Sequence, residues 1–313
     1  MKERLKKLMK LAIWTSVLMY LANKFIESSA DIHHLMKTSK GDFYHWRHGN
    51  IFYTVTGCGS PILLIHDLNP AASQKEWSEV IESLSENHTV YAIDLLGCGR
   101  SEKPNITYTT YLYIELISDF IKDIIDERTD IIATGKSGSF VIMTAKLYPE
   151  LLENIHLVNP DSLDTLKHIP DTFSKIAKSI LSCPLLGVSV YYLLTNRNQL
   201  EYDFCEKYLY NPFHSSSKMI DTYYESAHLS RGNGRFLSAS LIGNYLNFDI
   251  RFALSNIDKN INLTFGNELN DAEEIAEEYA KYNENISCSF IDKTKMLPHL
   301  EAPEKFMKII NIM

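Results

Sequence analysis

The stretch "ATGKSGSF", Ala133 to Phe140, lies between an apolar run and a helix-like run, and its reading decides the fold. Gly-Lys-Ser there is either the end of a phosphate-binding loop or part of a sharp turn that presents a serine. A Walker-type loop needs glycine five positions before the Gly-Lys-Ser, so that backbone N–H groups can curl around phosphate oxygens. That position is Asp130, and "DIIAT" reads as a strand where the loop should be. The turn reading fits better. Gly135-Lys136-Ser137-Gly138-Ser139 joins a strand to a helix, with small residues two before and two after Ser137 to let the backbone turn.

Outward from this turn, continuous apolar runs alternate with segments of helical period. "PILLIHD", "TVYAIDLLGCGRS", "DIIAT" and "NIHLVN" read as strands buried on both faces. "SQKEWSEVIESLSEN", "YTTYLYIELISDFIKDIIDE" and "SFVIMTAKLYPE" read as helices with one apolar face. Strands separated by helical crossovers imply an α/β fold with a mostly parallel sheet. From about Asp161 to Asp258 the rhythm changes to Tyr-, Leu- and Ser-rich helical material, before "INLTFG", "AEEIAEEYAKY", "ISCSFID" and a terminal helix "PEKFMKIINIM".

The composition is that of a globular chain: 313 residues, 45% hydrophobic and 22% charged. A net charge of -8 leaves no basic footprint for nucleic acid. The five cysteines form no CxxC and the eleven histidines no HExxH, so neither a metal nor a disulfide framework is expected.

The amino terminus differs. "MKERLKKLMKLAIWTSVLMYLANKF" carries five basic residues in its first ten, then an uncharged run from Leu11 to Ala22. A spanning helix needs roughly 17 to 25 residues, a length reached from Leu8 to Ile26 if Lys10 and Lys24 snorkel. The expectation is a single-pass membrane anchor and linker over residues 1–40, with the amino terminus inside and the catalytic domain on the extracytoplasmic side. A cleaved signal peptide ending near Ser28-Ser29-Ala30 and an in-plane helix are the alternatives.

Four segments, "YHWRHGNIFYTVTGCGSPILLIHD", "VYAIDLLGCGRSEKP", the turn itself and "LPHLEAPEKF", resemble the α/β-hydrolase superfamily, in the branch of epoxide hydrolases and plastid chlorophyll-catabolism hydrolases. The resemblance implies an α/β-hydrolase domain over 41–313, an eight-stranded sheet with helices on both faces, and a helical cap at about 161–235. It also implies a serine hydrolase acting on an ester or related acyl substrate without a cofactor. Ser137 would be the nucleophile, with oxyanion donors at Gly138 and Leu68. His66 precedes Asp67 where the family has His-Gly. The acid would be Glu268, with Asp271 and Asp161 behind it.

The base position departs from the pattern. The family reads like Gly-His-x-Pro-His-x-Glu, and this chain reads Lys295-Met296-Leu297-Pro298-His299-Leu300-Glu301. Methionine is no proton acceptor. His299 is the substitute candidate. The alternative function is a degenerate member of the fold that binds a ligand or partner without turnover.

Overall fold

The computed structural model describes residues 2–30, 34–38 and 40–310. Eight strands form one sheet: β1 (Asp42–Trp46), β2 (Gly49–Thr56), β3 (Ser60–Ile65), β4 (His88–Ile93), β5 (Thr129–Thr134), β6 (Leu152–Val158), β7 (Ile261–Gly266) and β8 (Ile286–Ile291). Their order is β1-β2-β4-β3-β5-β6-β7-β8. β1 with β2 and β2 with β4 are antiparallel, and every later pairing is parallel. The mostly parallel sheet with helices on both faces is therefore as the sequence predicts.

The strands show why continuous apolar runs were needed. Within β3, Leu63 and Ile65 join the larger core with Ile131, Ala133, Ile155 and Phe265, whereas Ile62 and Leu64 face a second core built on Trp77, Leu84 and Phe306. Both faces of the strand lie under helices, so neither set of side chains meets water. Several predicted helices are shorter than their periodicity suggests. "SQKEWSEVIESLSEN" becomes a 3-10 turn at Gln74–Trp77 and a short helix at Ile81–Ser85. The next helix is regular over Thr110–Phe120 and then widens over Ile121–Ile125, stopped by Asp126 at φ 56°.

Between β6 and β7 the chain is helical, including α4 (Thr172–Ser182), α5 (Leu186–Leu194), α6 (Ser217–His228) and α7 (Gly234–Ile242); α1 (Lys2–Ala30), α2 (Thr110–Phe120) and α3 (Ser137–Leu147) precede them. Phe236 and Leu237 already belong to the main core, whereas Leu200, Phe204 and Tyr223 form a separate cluster with Ala71, Ala72 and Leu297. This second cluster is the contact between the inserted helices and the C-terminal edge of the sheet. The terminal helix runs from Pro303 to Ile310, and the rest of its predicted length lies outside the described residues.

The amino-terminal expectation needs correcting. α1 is one continuous helix, but among the described residues no single helix is long and apolar enough to cross a membrane. The basic first turns and Lys24 leave too short an uncharged core. Its carboxyl-terminal end is part of the fold: Asn23 donates to the Leu185 carbonyl at 3.4 Å and accepts from the Ser189 hydroxyl at 3.0 Å, and Ile26 packs against Leu181, Tyr191 and Tyr192.

Candidate active site

β5 delivers the chain to the C-terminal edge of the sheet, where it must reverse into α3. The residue that makes the reversal is Gly135, in the left-handed region at φ 53°, while Lys136 is already helical at φ -58°, ψ -30°. Left-handed backbone is open to glycine and costly for most other residues. Gly135 is pinned by its N–H to the Val158 carbonyl at 2.9 Å. Ser137 is thus two residues past the apex, the first residue of α3.

Ser137 is not presented to a cavity. It is 0% exposed, and its hydroxyl donates to the His66 carbonyl at 2.7 Å. The Gly138 N–H, predicted as an oxyanion donor, is taken by the Gly135 carbonyl at 3.1 Å. His66 is a fully buried strut: its Nε2 accepts the Leu95 N–H at 3.0 Å, which fixes the proton on Nδ1, 2.6 Å from the Asp67 carbonyl. Burial holds its pKa down at about 4, so the ring is neutral near pH 7.

Asp67 occupies the space that matters. Its carboxylate accepts the Lys136 N–H at 2.9 Å. A Cβ on Gly135 would meet the same group, 2.2 Å from Oδ1 and 2.6 Å from Cγ. The carboxylate points into the site, whereas an oxyanion site at this position would require it to point away.

Beside Asp67 lies Glu76, which the sequence reading did not single out. It is 1% exposed, and its Oε1 accepts from the Thr134 hydroxyl at 2.5 Å and from the Asp67 N–H at 3.4 Å. Burial raises both carboxyls, Asp67 to about 6 and Glu76 to about 8. His299 stands behind Glu76, its Nε2 3.7 Å from Oε1 and its ring stacked on Trp77 with centroids 4.4 Å apart. It is 0% exposed, and burial depresses its pKa to about 3. Among the described residues neither ring nitrogen has a hydrogen-bond partner. The ring is held by packing, and it is not hydrogen-bonded to Ser137.

Of the three predicted acids only Asp161 reaches the turn, and it does so through the Lys136 side chain. Glu268 follows β7 and is solvent-exposed, its backbone N–H on the Thr294 carbonyl at 3.1 Å. Asp271 is exposed as well, and Asp161 is paired with Lys136 at 2.6 Å. Asn159 does more to shape this edge. At φ 44° it accepts the Gly266 N–H at 3.0 Å and donates to the Lys295 and Met296 carbonyls at 3.0 and 2.9 Å. It thereby ties β6, β7 and the Met296 segment together. Asn is one of the few residues that tolerates that backbone, a signal the sequence did carry without marking the place.

A small cavity of about 20 Å³ remains between this edge and the inserted helices, lined by Asp67, Glu76, Gly135, Tyr208, Tyr223 and Met296 among others. That is room for one water-sized group. Among the described residues no group of three or more His, Cys, Asp or Glu side chains is placed to hold a metal ion.

The comparisons agree with this architecture. A family model described as the alpha/beta hydrolase fold matches residues 61–182. The 2-hydroxy-6-oxo-6-(2'-aminophenyl)hexa-2,4-dienoic acid hydrolase of Metapseudomonas resinovorans is 33% identical over 113 residues, 36% of this chain and 39% of that protein. A soluble epoxide hydrolase of Corynebacterium sp. is 28% identical over 107 residues, 34% of this chain and 37% of that protein. The matches thus span about two fifths of the relatives' length. Among solved structures, a serine hydrolase involved in carbazole degradation superposes with a TM-score of 0.71 at 19% identity, covering 87% of this chain and 97% of the other. Strand order, the inserted helices and the match over residues 61–182 point the same way: the chain has the α/β-hydrolase fold.

Proposed function

We propose that this protein is a member of the superfamily that binds a small molecule beneath its inserted helices without hydrolysing it through a serine. The observation that carries the reading is the Asp67 carboxylate on the Lys136 N–H, with no side chain at Gly135. Acyl transfer develops negative charge on the substrate oxygen, and preorganised N–H donors must be free to receive it. Here the Lys136 N–H already holds a negative group, and an incoming oxyanion would meet its repulsion as well as the loss of that bond. Met296 stands at the expected base position, and His299, enclosed and made a weak base by burial that holds its pKa at about 3, is not hydrogen-bonded to Ser137.

Hydrolysis of an ester or related acyl substrate by Ser137 is the competing reading, favoured by the hydrolases among the relatives. It requires the Ser137 hydroxyl to leave the His66 carbonyl and emerge from full burial. Labelling with a fluorophosphonate probe, together with turnover of short p-nitrophenyl esters, separates the two. Neither is expected. Labelling that disappears in Ser137→Ala would establish the serine hydrolase instead.

A further inference from the structure

The cavity beside Gly135 has an unusual chemical balance. Asp67 and Glu76 form its acidic floor, and the nearest cation does not neutralise them, because the Lys136 ammonium is held by Asp161 at 2.6 Å and Asn247 at 3.0 Å. The two adjacent histidines are neutral for the reasons given above. Tyr208 and Tyr223 form the wall supplied by the inserted helices. The Tyr208 hydroxyl accepts from Asn69 Nδ2 at 3.1 Å. The Tyr223 hydroxyl is the second, independent observation. It belongs to a residue only 4% exposed, lines the cavity, and has no hydrogen-bond partner among the described residues.

A buried polar group without a partner costs about 1–3 kcal/mol, and buried carboxyls without a counter-charge cost more. Both costs are relieved by one kind of occupant, a small group that carries positive charge and several N–H donors. A neutral alcohol would satisfy Tyr223 and leave the charge. A carboxylate would add to it. Phenol oxygens and ring faces also favour a cation over a neutral group. The cavity volume of about 20 Å³ admits an ammonium head and excludes a trimethylated one.

Resting on the non-hydrolytic reading above, we propose that this cavity binds the ammonium head of a primary amine, with the Asp67 carboxylate as the anionic partner and Glu76 and the Tyr223 hydroxyl as further acceptors. No covalent step is involved.

The test is a thermal-shift and calorimetric titration of the full chain with methylammonium, using methanol, acetate, tetramethylammonium and potassium as matched probes. Methylammonium is expected to raise the melting temperature and the others to leave it unchanged. Asp67→Asn and Glu76→Gln are each expected to weaken binding at least 10-fold, and Tyr223→Phe several-fold. Circular dichroism verifies that each variant is folded; if one is not, the other two decide. Equal effects of methanol or acetate would overturn the proposal, as would retained affinity in the folded variants. Equal stabilisation by potassium would make this a metal-cation site and also overturn it. The fluorophosphonate experiment reads the underlying function separately: absent labelling with no amine binding sinks only the amine assignment, whereas Ser137 labelling sinks the reading beneath it.

Discussion

Gly135 and Asp67 exclude each other's chemistry: a Cβ on the glycine would lie 2.2 Å from the aspartate's Oδ1, a separation no folded structure tolerates. The absence of a side chain at the turn and the presence of a carboxylate beside it are therefore one feature, not two. Gly135→Ser alone is expected to destabilise the protein by about 2 kcal/mol or more, from the clash and from a non-glycine residue at positive φ. Asp67→Gly should relieve most of that loss, so the double variant melts higher than the sum of the single effects allows. Chemical denaturation of the four proteins in the cycle measures the coupling.

The same relationship predicts how to obtain a hydrolase. With Asp67→Gly and Gly135→Ser in place, the Lys136 N–H is released and a hydroxyl stands at the apex. Met296→His then adds a base. The triple variant is expected to turn over p-nitrophenyl acetate above the background of its parent, and the single Met296→His variant is not. Equal turnover by the single variant would show that Gly135 and Asp67 are no obstacle.

Ser137 gives the sharpest contrast between a structural and a catalytic role. Its hydroxyl makes one buried hydrogen bond, to the His66 carbonyl. Removing it in Ser137→Ala is expected to cost about 1–2 kcal/mol, with the orphaned carbonyl contributing most. The affinity for methylammonium should not change. A drop in stability with unaltered binding, read by urea denaturation and calorimetry on the same samples, is the expected pair of results.

These contrasts also show what the sequence could and could not convey. The apolar runs of β3 to β7 and the helical insertion were legible because burial on two faces leaves a compositional trace. The turn was located correctly, but its register was not. A small-x-Ser-x-small pattern centred on Ser137 and a small-x-Gly-x-small pattern centred on Gly135 overlap at Gly135, Lys136 and Ser137, and only the end of β5 at Thr134 decides which is at the apex. Glu76 was invisible for another reason. Its partner Thr134 lies 58 positions away, and nothing local distinguishes it from a solvated helix carboxylate. His299 was noticed but not its packing against Trp77, a contact set by two separate chain segments.

The buried carboxyls make stability depend on pH in a definite direction. Burial lifts Asp67 to about 6 and Glu76 to about 8, above the values of roughly 4 they have in an unfolded chain. The folded state thus holds protons that the unfolded state releases, and their contribution, fully present below pH 4, is lost as pH rises through 6 and then 8. The depressed His66, His156 and His299 act oppositely, removing stability as pH falls below about 6.5. Above pH 6.5 the histidines no longer titrate, and the buried Lys103, depressed to about 8, opposes the carboxyls only from near pH 8 upward, so the melting temperature is expected to fall between pH 6.5 and 8. Glu76→Gln should flatten that fall, and a slope unchanged by the variant would contradict the assignment.

The amino-terminal helix leads to the last prediction. Leu8, Leu11, Trp14 and Leu18 are each more than 60% exposed, on the segment that follows the basic cluster Lys2, Arg4, Lys6, Lys7 and Lys10. Beyond Ala22 the helix is fastened to the inserted helices through Asn23 and Ile26. A free row of large apolar side chains in water is costly and prone to find cover, and adjacent lysines attract anionic headgroups with about 1 kcal/mol each. The expected cover is a lipid surface. The full chain should co-sediment with vesicles containing phosphatidylserine, more weakly with phosphatidylcholine alone, and a chain lacking residues 1–22 should stay in the supernatant. Lys6→Glu, Lys7→Glu and Lys10→Glu together should weaken binding to the anionic vesicles by on the order of 100-fold, by that same per-lysine attraction. Self-association of the full chain in the absence of lipid, seen by sedimentation velocity and abolished by the same truncation, would show that the apolar row covers itself against a second copy instead.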